Sequence, residues 1–309
     1  MLRYTIQRVI YMILTLLVIA TATFFLMKLL PGSPFKNQEK LTQKQIQMLN
    51  KQYDLDKPVV EQYIAYMGKV VKGDFGVTFQ QKNRPVTELI MMRIGPSAQL
   101  GFQALILGSI IGIGLGITAA LKHNTWVDYG ATVIAVAGVS IPSFVFAGLL
   151  QYVFAVKWQI FPVAFWEGFK YTVLPTIAIS VFVISTTARY MRTEMIEVMG
   201  SDYIVLAKAK GISYFNIVFK HGIRNALIPV VTIIGPMAVN IMTGSLVIEN
   251  IFAIPGLGEQ FVRSINTNDY PTIMGTTMFY SVLLITIIFI VDMLYGVIDP
   301  RIRVAGGNK

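Results

Sequence analysis

Six long apolar runs constrain this chain more than any other feature. They cover residues 9–30, 97–121, 128–156, 171–190, 226–248 and 273–297. All reach or exceed the roughly 18 to 20 residues that carry a helix across about 30 Å of hydrocarbon. A single soluble core cannot hide so much apolar surface, since 54% of the 309 residues are hydrophobic and only 14% are charged, far from globular composition. The bilayer is therefore the solvent. Backbone in lipid must satisfy its own hydrogen bonds, so runs of this length imply helices. The expected fold is all-α and polytopic, with about six transmembrane helices and a helical insert after the first.

Lys and Arg in the short connections give the orientation. With the N-terminus inside, the cytoplasmic set is Arg3, Arg8, Lys122, Arg189, Arg192, Lys208, Lys210, Lys220, Arg224, Arg301, Arg303 and Lys309, against Lys157, Lys170 and Arg263 outside. This bias predicts both termini in the cytoplasm of a bacterial or archaeal cell membrane. The net charge of +10 sits mostly at the ends of apolar runs. A nucleic-acid binder would show it as a patch or stripe on a folded domain, so membrane lipid and not nucleic acid is the expected contact. The first run exceeds the roughly 7 to 15 residues of a signal-peptide core, and no small-x-small cleavage site follows; it reads as a retained span. The absence of cysteine excludes disulfides, thiolate catalysis and Cys-ligated metals.

Two polar segments interrupt the pattern. The first, 31–96, would lie outside, where its length lets it translocate regardless of charge. Thr42 and Gln45 spell a capping box, Pro58 opens a second helical pattern, and Gly73 is placed to close it. Asp74-Phe75-Gly76 spells a kinase magnesium motif, but without a Gly-rich loop or a His-Arg-Asp loop it is a coincidence. The second segment, 191–225, would be cytoplasmic. Ser201 or Asp202 can cap a short helix through Lys210, Gly211 breaks it, and Ser213 can cap another through Lys220. Ile204, Ala207, Ile212, Phe215 and Phe219 alternate there with cations, which suits a partner or a membrane surface.

Enzymatic chemistry finds no foothold. The two histidines, His123 and His221, fall in predicted cytoplasmic connections, so neither a buried His-metal site nor a Ser-His hydrolase is expected within the membrane. No G-x-x-x-x-G-K-[ST] loop occurs, so ATP hydrolysis must come from another polypeptide. Asp292 lies inside the last run, where a carboxylate is a functional candidate by default, yet it sits close enough to the cytoplasmic end for a structural role. Gly108, Gly112 and Gly116 form a stripe suited to close helix packing. Ser140, Pro142 and Ser143 in the third run, and Gly235-Pro236 with Asn240, Thr243 and Ser245 in the fifth, place prolines and hydroxyls at membrane depth. They predict kinks that line a passage or bond to neighbouring helices, and both readings stand.

As a set, these residues resemble the membrane subunit of a type I ABC importer, the B-type permease of the oligopeptide and dipeptide family. The similarity runs along essentially the whole chain: Met1-Leu2-Arg3-Tyr4, Pro31-Gly32-Ser33-Pro34, Tyr53-Asp54-Leu55-Asp56-Lys57-Pro58, Gly73-Asp74-Phe75-Gly76, Ser140-Ile141-Pro142-Ser143-Phe144, Asp202-Tyr203-Ile204 with Ala207-Lys208-Ala209-Lys210-Gly211, and His221 through Pro229. The resemblance implies that residues 202–213 are the EAA loop, which docks on an ATP-binding subunit through Asp202, Ala207, Lys208, Ala209, Lys210, Gly211, Ile212 and Ser213. Val205 replaces the glutamate of the founding pattern, and Arg224 replaces a frequent proline. It further implies a homologous second permease subunit, two ATP-binding subunits that hold the ATP and Mg, no cofactor on this chain, and an extracellular or periplasmic peptide-binding protein docking near Pro255, Gly256 and Gly258. The implied division is a first span with external segment at 1–95, a type-1 permease core at 96–299 and a cytoplasmic tail at 300–309.

Two other classes compete. An integral membrane enzyme needs a polar catalytic cluster, which the histidine positions and the lone Asp292 do not supply. An ion-coupled secondary transporter normally shows intramembrane charges and internal repeats. The charge-poor runs and the helix-glycine-helix loop point to the importer subunit.

Overall fold

The computed structural model describes residues 2–35, 41–81, 84–242 and 245–298, with side chains described except at 2–4, 239–240, 242 and 291–298. The described residues are helical apart from turns and one isolated bridge between Val77 and Pro85. Five helices are long and apolar enough to cross a membrane, and a bent pair makes a sixth candidate.

The first span is α1 (Leu2–Lys28). Two short helices follow, α2 (Gln43–Gln52) and α3 (Val59–Val70), and their ends obey the sequence signals. Both bonds of the Thr42–Gln45 capping box are present. Beyond α3, Gly73 takes φ +76°, so that its amide reaches the Val70 carbonyl at 2.9 Å and that of Asp74 reaches Lys69 at 3.0 Å. This is the αL closure that a glycine makes without a Cβ penalty.

The second span, α4 (Val86–Leu121), begins eleven residues earlier than its apolar run and carries Pro96 inside. Its 36 residues extend about 54 Å at 1.5 Å per residue, more than a bilayer core needs. The third run is broken, with α5 (Trp126–Ser140) and α6 (Ser143–Leu150, continued by a π-helical turn Gln151–Lys157) meeting at 101°. The cause is local. Pro142 has no amide to offer and pushes Ile141 out of the helical region to φ −78°, ψ 122°.

The fourth span, α7 (Phe169–Met199), runs nine residues past its expected end and stops at Gly200. Helix α8 (Asp202–Ala209) follows. Here the second expected helix is corrected: it does not end at Lys220. The chain is helical from α9 (Tyr214–Asn216) through a π-helical turn (Ile217–Ile223) into α10 (Arg224–Met242), so the connection shrinks to 200–213 and His221 lies on a helix. Pro229 and Pro236 are accommodated inside α10. After it come α11 (Leu246–Ile251), α12 (Leu257–Asn266) and the last span α13 (Tyr270–Ile298).

The chain divides into two compact units, one built largely from Met1–Gly95 with Gly256–Phe289, the other largely from Pro96–Pro255. In the first, Phe24, Met27, Met274 and Met278 form a core that Tyr63, Tyr66 and Met67 cover. Asp269, 1% exposed, ties the unit together by accepting hydrogen bonds from the Thr78 and Thr272 hydroxyls and from the Phe79 amide at 3.0 Å. In the second, α4 lies on α7 along the glycine stripe. A Cβ on Gly112 would stand 2.8 Å from the Ile184 carbonyl oxygen, and one on Gly116 2.7 Å from that of Ala188. The stripe is therefore a packing surface, as its four-residue spacing suggests.

Candidate functional site

Three features of the second unit concern function. The first is the corner after α8. Gly211 has φ +73°; its amide donates to the Lys208 carbonyl at 3.0 Å and the Ile212 amide to Ala207 at 3.2 Å. Ile204, Ala207 and Ile217 close a small core beneath the corner, with Ile212 packed against it. That contact between Ile212 and Ala207 is the apolar partner such a glycine closure usually carries. Neither serine caps as expected. The Ser201 hydroxyl donates back to the Val198 carbonyl at 2.6 Å, and Ser213 accepts from the Asn216 amide group at 2.9 Å.

The candidate coupling residues separate accordingly. Asp202, Lys208, Ala209, Lys210, Gly211 and Ser213 are exposed, Ile212 is half-buried, and Ala207 is turned inward. The outward surface also includes large apolar side chains that sequence reasoning left out of the site: Tyr203, Val205, Leu206 and Tyr214. An exposed apolar patch rimmed by cations is what a protein partner or a membrane surface covers.

The second feature is a cavity of about 490 Å³ at the break between α5 and α6. Pro142, Ser143 and Ser245 come together on its wall with Phe146, Ile179 and Phe182, and no described lining residue is charged. Ser140 is not part of it, because its hydroxyl folds back onto the Val136 carbonyl at 2.9 Å. The side chain of Asn240, all of Thr243 and the side chain of Asp292 lie outside the described residues.

The third is an ion pair that the sequence did not suggest. Asp128, 1% exposed, holds Arg192 through both carboxylate oxygens, at 2.5 and 2.8 Å. The same carboxylate receives the Asn124 amide at 3.0 Å and meets His123 Nδ1 at 3.1 Å. Sequence separation hides the pair: its members are 64 positions apart, and the apolar run that predicts α7 ends before Arg192. A second buried carboxylate, Glu249, accepts from Ser97 at 2.7 Å. Its signal was present, since it is a lone acid within the otherwise uncharged turn Leu246–Ile251.

Of the expected docking residues near the start of α12, Pro255 is exposed, whereas Gly256 and Gly258 are buried around Leu257. Among the described residues no group of three or more His, Asp or Glu could hold a metal.

Long apolar helices, one span broken by proline at an uncharged cavity and a compact exposed corner between two others define a multi-pass membrane permease. The chain belongs to the family of binding-protein-dependent transport system inner membrane components, whose model matches residues 112–304; the companion N-terminal model of the same systems matches 1–96. It is 48% identical over 304 residues to the dipeptide transport system permease protein DppB of Bacillus subtilis (strain 168), covering 98% of each chain. It is 41% identical to the oligopeptide transport system permease protein OppB of Salmonella typhimurium, covering 98% of this chain and all of that one. Among solved structures, an amino acid ABC transporter crystallised with histidines matches with a TM-score of 0.51 at 15% identity, covering 67% of this chain and 93% of that one. This last likeness concerns the fold.

Proposed function

We propose that the chain is a membrane subunit of an ATP-driven importer of short peptides. In this reading it works with a homologous second permease, two ATP-binding subunits that hold ATP and Mg, and a peptide-binding protein outside the cell. Both termini face the cytoplasm, residues 1–95 form the first span with an external segment, 96–299 the permease core and 300–309 a cytoplasmic tail. The names of the full-length relatives support the peptide substrate.

The observation that carries the mechanism is the corner at Gly211. A helix closed by αL geometry over its own small core moves as one piece, so a partner bound to its outward face displaces the body and not a floppy loop. α8 hangs from the end of α7, and the pair Asp128–Arg192 ties α7 to the start of α5. Movement of an ATP-binding subunit would therefore be passed to the fourth and third spans together. The break at Pro142, which opens from α5, lies on the cavity that those spans border, so rocking them changes the width of the passage. Ser143 and Ser245 offer hydrogen bonds to a peptide main chain without selecting side-chain charge. Asn240 and Thr243 belong to the same passage in this reading. Pro255 is the exposed remnant of the proposed contact with the binding protein.

The test exploits the lack of native cysteine. Lys208→Cys in the tagged chain, crosslinked in its native membrane, is expected to capture a P-loop ATPase, and a second six-span chain should co-purify. Recovery of the chain alone, in preparations that keep other complexes intact, would overturn the reading and revive an ion-coupled transporter.

A further inference from the structure

We propose that the cavity at the C-terminal end of α1 binds the phosphate of a membrane phospholipid, with Lys28 as its cationic partner. The cavity measures about 390 Å³ and lies wholly within the first unit, between α1, α2, α3 and the start of α13. Lys28 is half-buried there. Its ammonium donates to Gln62 Oε1 and stands 5.5 Å from the Phe24 ring centroid and 5.1 Å from that of Tyr270. Among the described residues it has no ion pair. The two acids on the cavity wall are engaged elsewhere, Asp54 with Lys57 at 2.7 Å and Asp74 with the Gly76 amide at 2.8 Å. A lysine at the end of a span ordinarily reaches out to water or headgroups. This one is held over two aromatic faces beside a cavity whose wall is mostly apolar and also carries Lys69, with ammonium protons left for an anion.

The location selects a lipid. Helix α3 does not stand clear of the span: Tyr63 shares a 2.8 Å hydrogen bond with Thr21 and stacks on Phe25 at 5.5 Å. Thr21 precedes Lys28 by seven residues, about 10 Å of helix, so α3 runs at the depth of the last turns of a membrane span. The adjoining side of the helix exposes Val60 at 61% and Ile64 at 65%, with Val71 beyond it at 84%. An apolar helix face at that depth lies in the boundary between headgroups and acyl chains. The site is therefore continuous with the bilayer, where phosphate is the abundant anion and Phe24, Met27 and Phe79 can receive the apolar part of the lipid. The inference needs α1 to be a span and does not depend on the transported substrate.

The experiment uses the whole complex, purified with its partners from nanodiscs of phosphatidylglycerol and phosphatidylcholine and examined by native mass spectrometry. Wild type is expected to retain one phospholipid that Lys28→Met loses by roughly tenfold, the scale of a charge-assisted hydrogen bond, while Lys28→Arg keeps it. Assembly with the partners, read in the same spectra, separates loss of the site from loss of the fold. Equal retention by wild type and Lys28→Met overturns the proposal. So does displacement of the lipid by inorganic phosphate or by a dipeptide, which would assign the cation to a soluble anion.

Discussion

Gly211 and Gly116 both resist replacement, for different reasons that substitution can separate. At Gly211 nothing lies within 4 Å of an added Cβ, so Gly211→Ala meets only the backbone cost of φ +73°, about 1 to 2 kcal/mol. At Gly116 the φ is ordinary, but a Cβ would meet the Ala188 carbonyl at 2.7 Å, and backbone cannot step aside as a flexible side chain can. Gly116→Ala is expected to cost more than Gly211→Ala, about 2 to 3 kcal/mol, with both read as thermal unfolding in detergent. Tyr66 offers a third test. Among the described residues its buried hydroxyl has no hydrogen-bond partner, and burial raises its pKa well above the ordinary phenol range. Because the folded state holds the neutral form, stability should fall as pH rises past about 10, where the unfolded chain ionises. Tyr66→Phe is expected to reduce that alkaline slope, to which Tyr53 and Tyr270 also contribute, and leave stability at neutral pH unchanged or improved.

Among the elements, α7 has the most consequence, since it spans the membrane, packs on the glycine stripe and carries Arg192 towards the corner. Removing one member of the pair leaves the other charge uncompensated. Asp128→Asn is expected to destabilise the second unit by about 3 kcal/mol, the lower end for a buried pair because Arg192 keeps 29% exposure. If the pair also transmits movement, Asp128→Asn should lower peptide uptake per ATP hydrolysed; a purely structural tie would reduce both in proportion. The broken third span makes a separate prediction. Pro142→Ala restores an amide and relaxes Ile141, so the 101° bend should open, which distance measurements between spin labels on α5 and α6 would detect.

For the whole molecule, the cavity at the Pro142 break carries no charged residue on its described wall. Ser143→Asp should therefore slow uptake of acidic dipeptides more than of neutral ones, whereas a cavity outside the passage would leave that preference unchanged. Much of this architecture was legible from the chain alone. Apolar run length marked the spans, and the Thr42 and Gln45 spacing, Gly73 and Gly211 marked helix ends, because lipid solvation and backbone sterics act on a few neighbouring residues. The exact ends of α4 and α7, the continuity of α9 with α10 and the inward turn of Ala207 were not. Each depends on what packs against the helix, as the core of Ile204 and Ile217 does for Ala207. What the sequence by itself determined is the membrane class, the number of spans, the glycine corner and the family resemblance. Only the tertiary structure decided the pairing of Asp128 with Arg192, the burial of Asp269 and Glu249, the meeting of Ser143 with Ser245 and the cavity over Lys28. These join residues far apart in the chain, and their partners are chosen by packing, which no local pattern encodes.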